Sequence, residues 1–354
     1  MAVNLLTVVG ARPQFVKAAP LSREIDRRPE VSEILVHTGQ HYDAAMSDEQ
    51  FSALNLRAPD INLGIHGGSQ NESLGRMLQA VDRVLVECMP ELVVVYGDTT
   101  TTLAGAIAAA NRGIPVAHVE AGLRSFNMRM PEERNRVVVD HLSDLLFPPT
   151  ATAVANLACE GITDGVQHVG DVMLDAFLAT EVSTGDADDL MRQNDVLPGD
   201  FVLATLHRAD ATESREALVK RLAFLVEVAG GRPVLLPLHP RTKDAARRFE
   251  VSFDGLLVLP PVDYGTFSAL LSQCGLVATD SGGVQKEAYF RRVPCVTLRT
   301  ETEWPETVEA GWNRLWTSPV WREPRREISD YGVGDAGRRI VDSIVQYADA
   351  QRRH

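Results

Sequence analysis

Short apolar runs alternate along this chain with longer stretches of helical period. That alternation confines it to α/β folds built on parallel sheets. In the first half the apolar runs fall at 5–9, 34–37, 92–96, 116–119, 145–147 and 166–169. A second series follows at 201–206, 234–238, 256–259, 276–279 and 295–298. Between two of the early runs, Leu74, Met77, Leu78, Val81, Leu85 and Cys88 recur at helical spacing until Pro90 stops the pattern, which predicts a helix with one buried face. At about 150 residues per domain, 354 residues suffice for two. The series predict two units of one kind, 1–170 and 171–334, with a polar stretch at 183–200 between them. The amphipathic tail carries Ala336, Ile340, Ile344 and Tyr347 on one face and can pack on either unit.

Charge narrows the list of partners. The chain holds 48 acidic against 35 basic side chains, a net charge of −13, and this disfavours nucleic acid and anionic membranes. No apolar run approaches the 18 or so residues of a membrane span. The N-terminus has no basic leader region and reaches Gly10 and Pro13 early, so a cytoplasmic location is expected. Cys88, Cys159, Cys274 and Cys295 are far apart in apolar segments, which predicts buried free thiols.

Ligands of doubly wound sheets bind beyond the carboxyl ends of the strands. The first series delivers Gly10-Ala11-Arg12-Pro13, Thr38-Gly39-Gln40-His41, Gly97-Asp98 and Glu120-Ala121-Gly122-Leu123-Arg124 to those ends. The second delivers His207-Arg208, His239-Pro240-Arg241, Asp280-Ser281-Gly282-Gly283 and Arg299. Two such edges facing one another would form one cleft. Ser281 can cap the following helix, and the glycines let backbone N–H groups approach a phosphate. Arg12, Lys17 and Arg299 add cationic charge. No GxGxxG follows the first strand and no GxxxxGK[ST] occurs, which disfavours a dinucleotide dehydrogenase or a P-loop NTPase.

Asp98, Glu120, Glu132, His207 and His239 form a candidate acid–base set. Each also has a structural alternative: Asp98 as a helix cap, Glu120 paired with Arg124, Glu132 as a first-turn acid complementing a helix dipole. His37, His66, His118, His141, His168 and His354 stand isolated in the sequence, so no metal site is expected.

Taken together, several motifs resemble the non-hydrolysing UDP-N-acetylglucosamine 2-epimerase family. They are Gly10-Ala11-Arg12-Pro13-Gln14 with Lys17, Gly97-Asp98-Thr99-Thr100-Thr101-Thr102, His118-Val119-Glu120-Ala121-Gly122-Leu123-Arg124, Pro131-Glu132-Glu133, and Asp280-Ser281-Gly282-Gly283 with Gln285 and Glu287. The resemblance runs through the chain in order to Tyr331-Gly332. It implies a GT-B-like architecture: two Rossmann-like α/β/α domains around a cleft, the tail 335–354 returning to the first domain, and a homodimer. It also implies a reaction without NAD, metal or other cofactor. A base removes the proton at carbon 2, UDP leaves to give a 2-acetamidoglucal, and UDP adds back as a proton returns on the opposite face.

The resemblance makes Asp98, Glu120 and Glu132 the catalytic carboxylates, with Lys17 supporting them and His207 assisting the leaving phosphate. Arg12, Ser281, Gly282, Gly283 and Arg299 would hold the pyrophosphate, Glu287 the ribose, and Tyr264 and Phe267 the uracil. Arg124, Arg208 and His239 complete the candidate contacts to the UDP-sugar.

Several positions depart from the family pattern. An HRxEN stretch reads His207-Arg208-Ala209-Asp210-Ala211, and ERPE reads Glu303-Trp304-Pro305-Glu306, which removes a cation near the phosphates that Lys286 could partly replace. Gln40-His41 continues as Tyr42-Asp43, so strong activation by substrate is not expected. The His-Tyr-Asp run, Ser125-Phe126-Asn127 and Glu303-Trp304 are closer to a branch acting on UDP-2,3-diacetamido-glucuronic acid, whose carboxylate Arg129, Arg208 or Arg241 could meet. UDP-N-acetylglucosamine stands first and that uronate second. A hydrolysing epimerase, a GT-B glycosyltransferase and a nucleotide-sugar sensor are the other readings.

Overall fold

The structure, a computed structural model, describes residues 2–40, 56–179 and 185–353. The readings on His41, Tyr42, Asp43, His354 and residues 183–184 fall outside the described residues, as does the Asp210 side chain. By its internal contacts the chain divides into two compact units. One is Met1–Thr180 with Ser329–His354, and the other is Glu181–Ile328.

The first unit holds a six-stranded parallel sheet. Its strands are β1 (Val3–Val9), β2 (Val31–His37), β3 (Ile61–Asn62), β4 (Leu92–Tyr96), β5 (Val116–Val119) and β6 (Leu145–Phe147), in the order β3-β2-β1-β4-β5-β6. Helices cover both faces of such a sheet, so its central strands read as continuous apolar runs. β4 is buried at every residue, and β1 from Leu5 onward. The expected helix spans Gln70–Cys88; Ser69 and Glu72 cap its start reciprocally, and left-handed Met89 ends it before Pro90.

The second unit repeats the plan. β7 (Val202–Thr205), β8 (Val234–Pro237), β9 (Leu257–Leu259), β10 (Leu276–Thr279), β11 (Cys295–Thr297) and β12 (Asn313–Leu315) form a parallel sheet ordered β12-β11-β10-β7-β8-β9. Counted from the start of each unit, both sheets run 3-2-1-4-5-6, the order of Rossmann-like domains. The two series of apolar runs therefore do encode the same kind of unit.

Two strands escape the sequence pattern. Ile61–Asn62 is a two-residue edge strand, and Asn313–Leu315 reads Asn-Arg-Leu, so neither makes an apolar run. Conversely, 166–169 is not a strand; Val166 makes only an isolated bridge to Leu146 beside the short β6 before the chain turns away. The cysteines also differ from expectation: Cys274 and Cys295 are buried, Cys88 is half-buried and Cys159 is exposed. Among the described residues no helix is long and apolar enough to cross a membrane.

The tail forms the helix Ala336–Gln351, which packs on the helix Arg12–Ile25 of the first unit. Ile340, Val341 and Ile344 are buried, and Arg28–Asp342 and Arg352–Glu91 ion pairs of 2.6 and 2.7 Å flank them. Its N-terminus is capped from elsewhere: Asp175 accepts from the N–H groups of Ala336 and Gly337 at 3.2 and 2.8 Å.

Candidate functional site

The carboxyl ends of the first sheet are tied together by buried polar contacts. Gln14 accepts from the N–H groups of Gly10 and Ala11 at 2.9 and 3.1 Å and donates to the Tyr96 carbonyl at 3.1 Å, joining the ends of β1 and β4. Gly10 is required there, because a Cβ would lie 2.1 Å from Thr38 Oγ1. Arg12 follows as the half-exposed first residue of its helix.

Lys17, one turn further along that helix, forms a buried ion pair with Glu120 beyond β5. The pair passes over Gly97, where a Cβ would stand 3.1 Å from Lys17 Nζ and 3.3 Å from Glu120 Oε2, and whose φ is +64°. Glu120 itself sits at φ +71°, held by its N–H to the Phe147 carbonyl at 3.1 Å. A carboxylate-bearing residue in the left-handed region is strained, and such strain gathers where geometry matters to chemistry.

Asp98 is not a helix cap: Thr99 caps Thr100–Asn111 by accepting from Thr102 N. The Asp98 carboxylate instead pairs with Arg136, whose other arm holds Glu133 at 3.1 Å. Glu133 in turn accepts from Ser125 N and Phe126 N at 3.0 and 2.7 Å, fixing the loop ahead of the helix Pro131–Leu142. Glu132 lies half-buried in the first turn of that helix. Glu120 does not pair with Arg124. That guanidinium is 4% exposed and donates to Glu160, Asp140 and the Leu123 carbonyl, all at 2.7 Å, so it braces the turn after Glu120.

In the second unit, β7 and β10 are neighbours, and their ends bring His207 to Asp280. The imidazole Nδ1 lies 3.0 Å from Asp280 Oδ1, while Oδ2 accepts from the N–H groups of His207 and Arg208 at 2.7 and 2.8 Å. Burial works to raise the Asp280 carboxyl, but His207 and these N–H groups outweigh it and hold it below the usual range. The His207 side chain is 37% exposed while Asp280 is fully enclosed, so an oriented imidazole faces outward. Its ring lies 5.4 Å from that of His239, which is committed to capping Pro240–Phe249 by accepting from Arg241 N at 3.1 Å. Arg241 donates to the His207 carbonyl at 2.9 Å, and Arg208 precedes a one-turn helix.

Ser281 occupies the N-cap position of Gly282–Phe290, yet its side chain makes no cap bond, contrary to expectation. Its N–H bonds Thr279 Oγ1 at 2.9 Å instead. Near this helix start, Arg299 is buried and grips Glu303 through two bonds of 2.9 Å. Lys286 Nζ stands 3.8 Å from the centre of the Trp304 ring, against the very residue that replaces a cation. Tyr264 opens the helix Tyr264–Gln273, and Glu287 is buried within Gly282–Phe290. Phe267 is buried in the core with Leu259, Leu270 and Val277.

Comparison with known proteins decides what this arrangement belongs to. The family model described as UDP-N-acetylglucosamine 2-epimerase matches residues 23–345. The chain belongs to the UDP-N-acetylglucosamine 2-epimerase family. A relative of that name from Methanocaldococcus jannaschii is 38% identical over 362 residues, covering 96% of this chain and 98% of its own. A Pseudomonas aeruginosa relative named UDP-2,3-diacetamido-2,3-dideoxy-D-glucuronate 2-epimerase is 47% identical over 317 residues, 88% of each chain. The crystal structure of the M. jannaschii UDP-GlcNAc 2-epimerase in complex with UDP-GlcNAc and UDP is 37% identical, covers 98% of this chain and all of its own, and superposes with a TM-score of 0.84. The architecture is therefore the GT-B-like pairing of two Rossmann-like domains.

For a member of this family the sequence located the strand-end groups but not what holds them. Arg136, Glu133, Asp280 and Glu303 went unassigned, although β7 and β10 already presented His207 and Asp280 at equivalent places. His118 is not isolated either; it is hydrogen-bonded to Asp140.

Proposed function

We propose that the chain interconverts UDP-N-acetylglucosamine and UDP-N-acetylmannosamine by eliminating and re-adding UDP. The observation that carries this reading is family membership across nearly the whole chain, and the Lys17–Glu120 and Arg136–Asp98 pairs beyond the strands of the first unit support it. A carboxylate among Asp98, Glu120 and Glu132 takes the carbon-2 proton, the bond from carbon 1 to the UDP oxygen breaks, and a double bond forms between the two carbons. UDP then adds back while a second acid delivers a proton to the other face. Lys17 holds the Glu120 carboxylate in place.

In the second unit, His207 oriented by Asp280 donates to the leaving phosphate. The start of Gly282–Phe290 with Ser281, Gly282 and Gly283 supports the pyrophosphate together with Arg299 and Arg12. Glu287 meets the ribose and Tyr264 the uracil. Arg124 serves by bracing the Glu120 turn. The enzyme works in the cytoplasm as a homodimer.

The 47% identical relative favours a second reading, in which the substrate is the diacetamido-uronate and Arg129, Arg208 or Arg241 meets its carboxylate. A competition assay with both nucleotide sugars separates them: faster turnover of the uronate at equal concentration makes it the substrate. Accumulation of free UDP with a reducing sugar would mark a hydrolase instead.

A further inference from the structure

His118 lies within β5 with its ring fully enclosed, and Asp140, from the helix Pro131–Leu142, is equally buried. The ring Nδ1 is 2.7 Å from Asp140 Oδ1, and Nε2 is 2.8 Å from the Gly97 carbonyl oxygen. A carbonyl oxygen only accepts, so Nε2 carries a proton. Asp140 Oδ2 accepts from Arg124 at 2.7 Å and from Gly122 N at 3.1 Å. Burial works to raise the Asp140 carboxyl, but His118 and Arg124 outweigh it and hold it below the usual range. His118 thus bridges the Gly97 carbonyl and the Asp140 carboxyl.

We infer that His118, with Asp140, positions the two turns that carry Asp98 and Glu120. The Gly97 carbonyl belongs to the peptide that leads into Asp98, and Nε2–H fixes the plane of that peptide. Asp140 fixes the next turn through Gly122 N, whose residue sits at φ +76° with no room for a side chain: a Cβ would lie 2.4 Å from the Ala153 carbonyl oxygen. Asn156 holds the other side of the same turn by donating to the Gly122 carbonyl at 2.9 Å. One buried pair thereby couples the ends of β4 and β5. Beyond it stand Arg124 with Glu160, His141 at 3.9 Å from Glu160, the Lys17–Glu120 pair and the Arg136–Asp98 pair. The role of His118 and Asp140 is positioning, and it rests on the reading of Asp98 and Glu120 given above.

The test uses the full-length protein labelled uniformly with nitrogen-15. The backbone amide signals of Asp98 and Gly122 are expected to shift in His118→Gln and Asp140→Asn. Both variants should lose on the order of 100-fold in kcat for epimer formation, because ångström-scale misplacement of reacting groups has that effect. UDP affinity should stay within about threefold, since neither His118 nor Asp140 is among the proposed UDP contacts. Unshifted amide signals of Asp98 and Gly122 in both variants overturn the inference. So does kcat unchanged in both variants, or UDP affinity and melting temperature falling in step with kcat, which would mark a merely structural pair. Absence of epimerase activity in the wild type would instead defeat the functional reading, while the amide signals of Asp98 and Gly122 still decide whether His118 and Asp140 position the two turns.

Discussion

Glu120 and Gly97 concentrate the account at the scale of single residues. Both have positive φ, and the Lys17–Glu120 pair closes over the bare Cα of Gly97. Gly97→Ala is expected to lower stability by about 1–2 kcal/mol through the left-handed backbone alone. It should lower kcat further by pushing the pair apart; thermal melts and turnover measured together check this. Lys17→Met leaves Glu120 buried without that cation. It should cost about 3 kcal/mol in denaturant unfolding and suppress turnover more than substrate binding. Asp98, Glu120 and His207 stood out because each lies within two residues of a strand end. Their partners were not, because Lys17 meets Glu120 across 103 residues and only the β1-β4-β5 order brings them together. The pairing of Glu120 with Arg124, four residues away, was the local guess, and tertiary structure overrode it.

Elements were legible in proportion to their burial. The central strands announced themselves, whereas Ile61–Asn62 and Asn313–Leu315 lie at sheet edges and carry too few apolar residues to register. The tail helix was visible as an amphipathic pattern, but its cap was not, since Asp175 reaches it from 161 residues away. Burial raises the Asp175 carboxyl from 3.8 to about 6, against the helix N–H groups that lower it. The folded state therefore binds the proton more tightly than the unfolded chain. Stability from this group is full below about pH 4 and is lost as pH rises through 6, by at most about 3 kcal/mol. Melting temperature measured from pH 4 to 7 should fall less steeply in Asp175→Asn than in the wild type. Parallel slopes would contradict the assignment.

At the scale of the molecule, one topological plan occurs twice, and each copy carries a different set of side chains at its strand ends. The first presents carboxylates braced by Lys17, Arg136 and His118–Asp140, which suits proton transfer. The second presents an oriented histidine, a glycine-rich helix start and buried cations, which suits a diphosphate. The repeat was legible because parallel sheets spell out their strands; the strand order was not, because crossovers leave no mark on composition. The central claim is that this division of labour epimerises carbon 2 by elimination and re-addition. Proton NMR of the purified protein with UDP-N-acetylglucosamine in heavy water, without added NAD or metal, tests it most directly. The account predicts UDP-N-acetylmannosamine carrying deuterium at carbon 2 with little free UDP, whereas an epimer that keeps its original carbon-2 proton would contradict it.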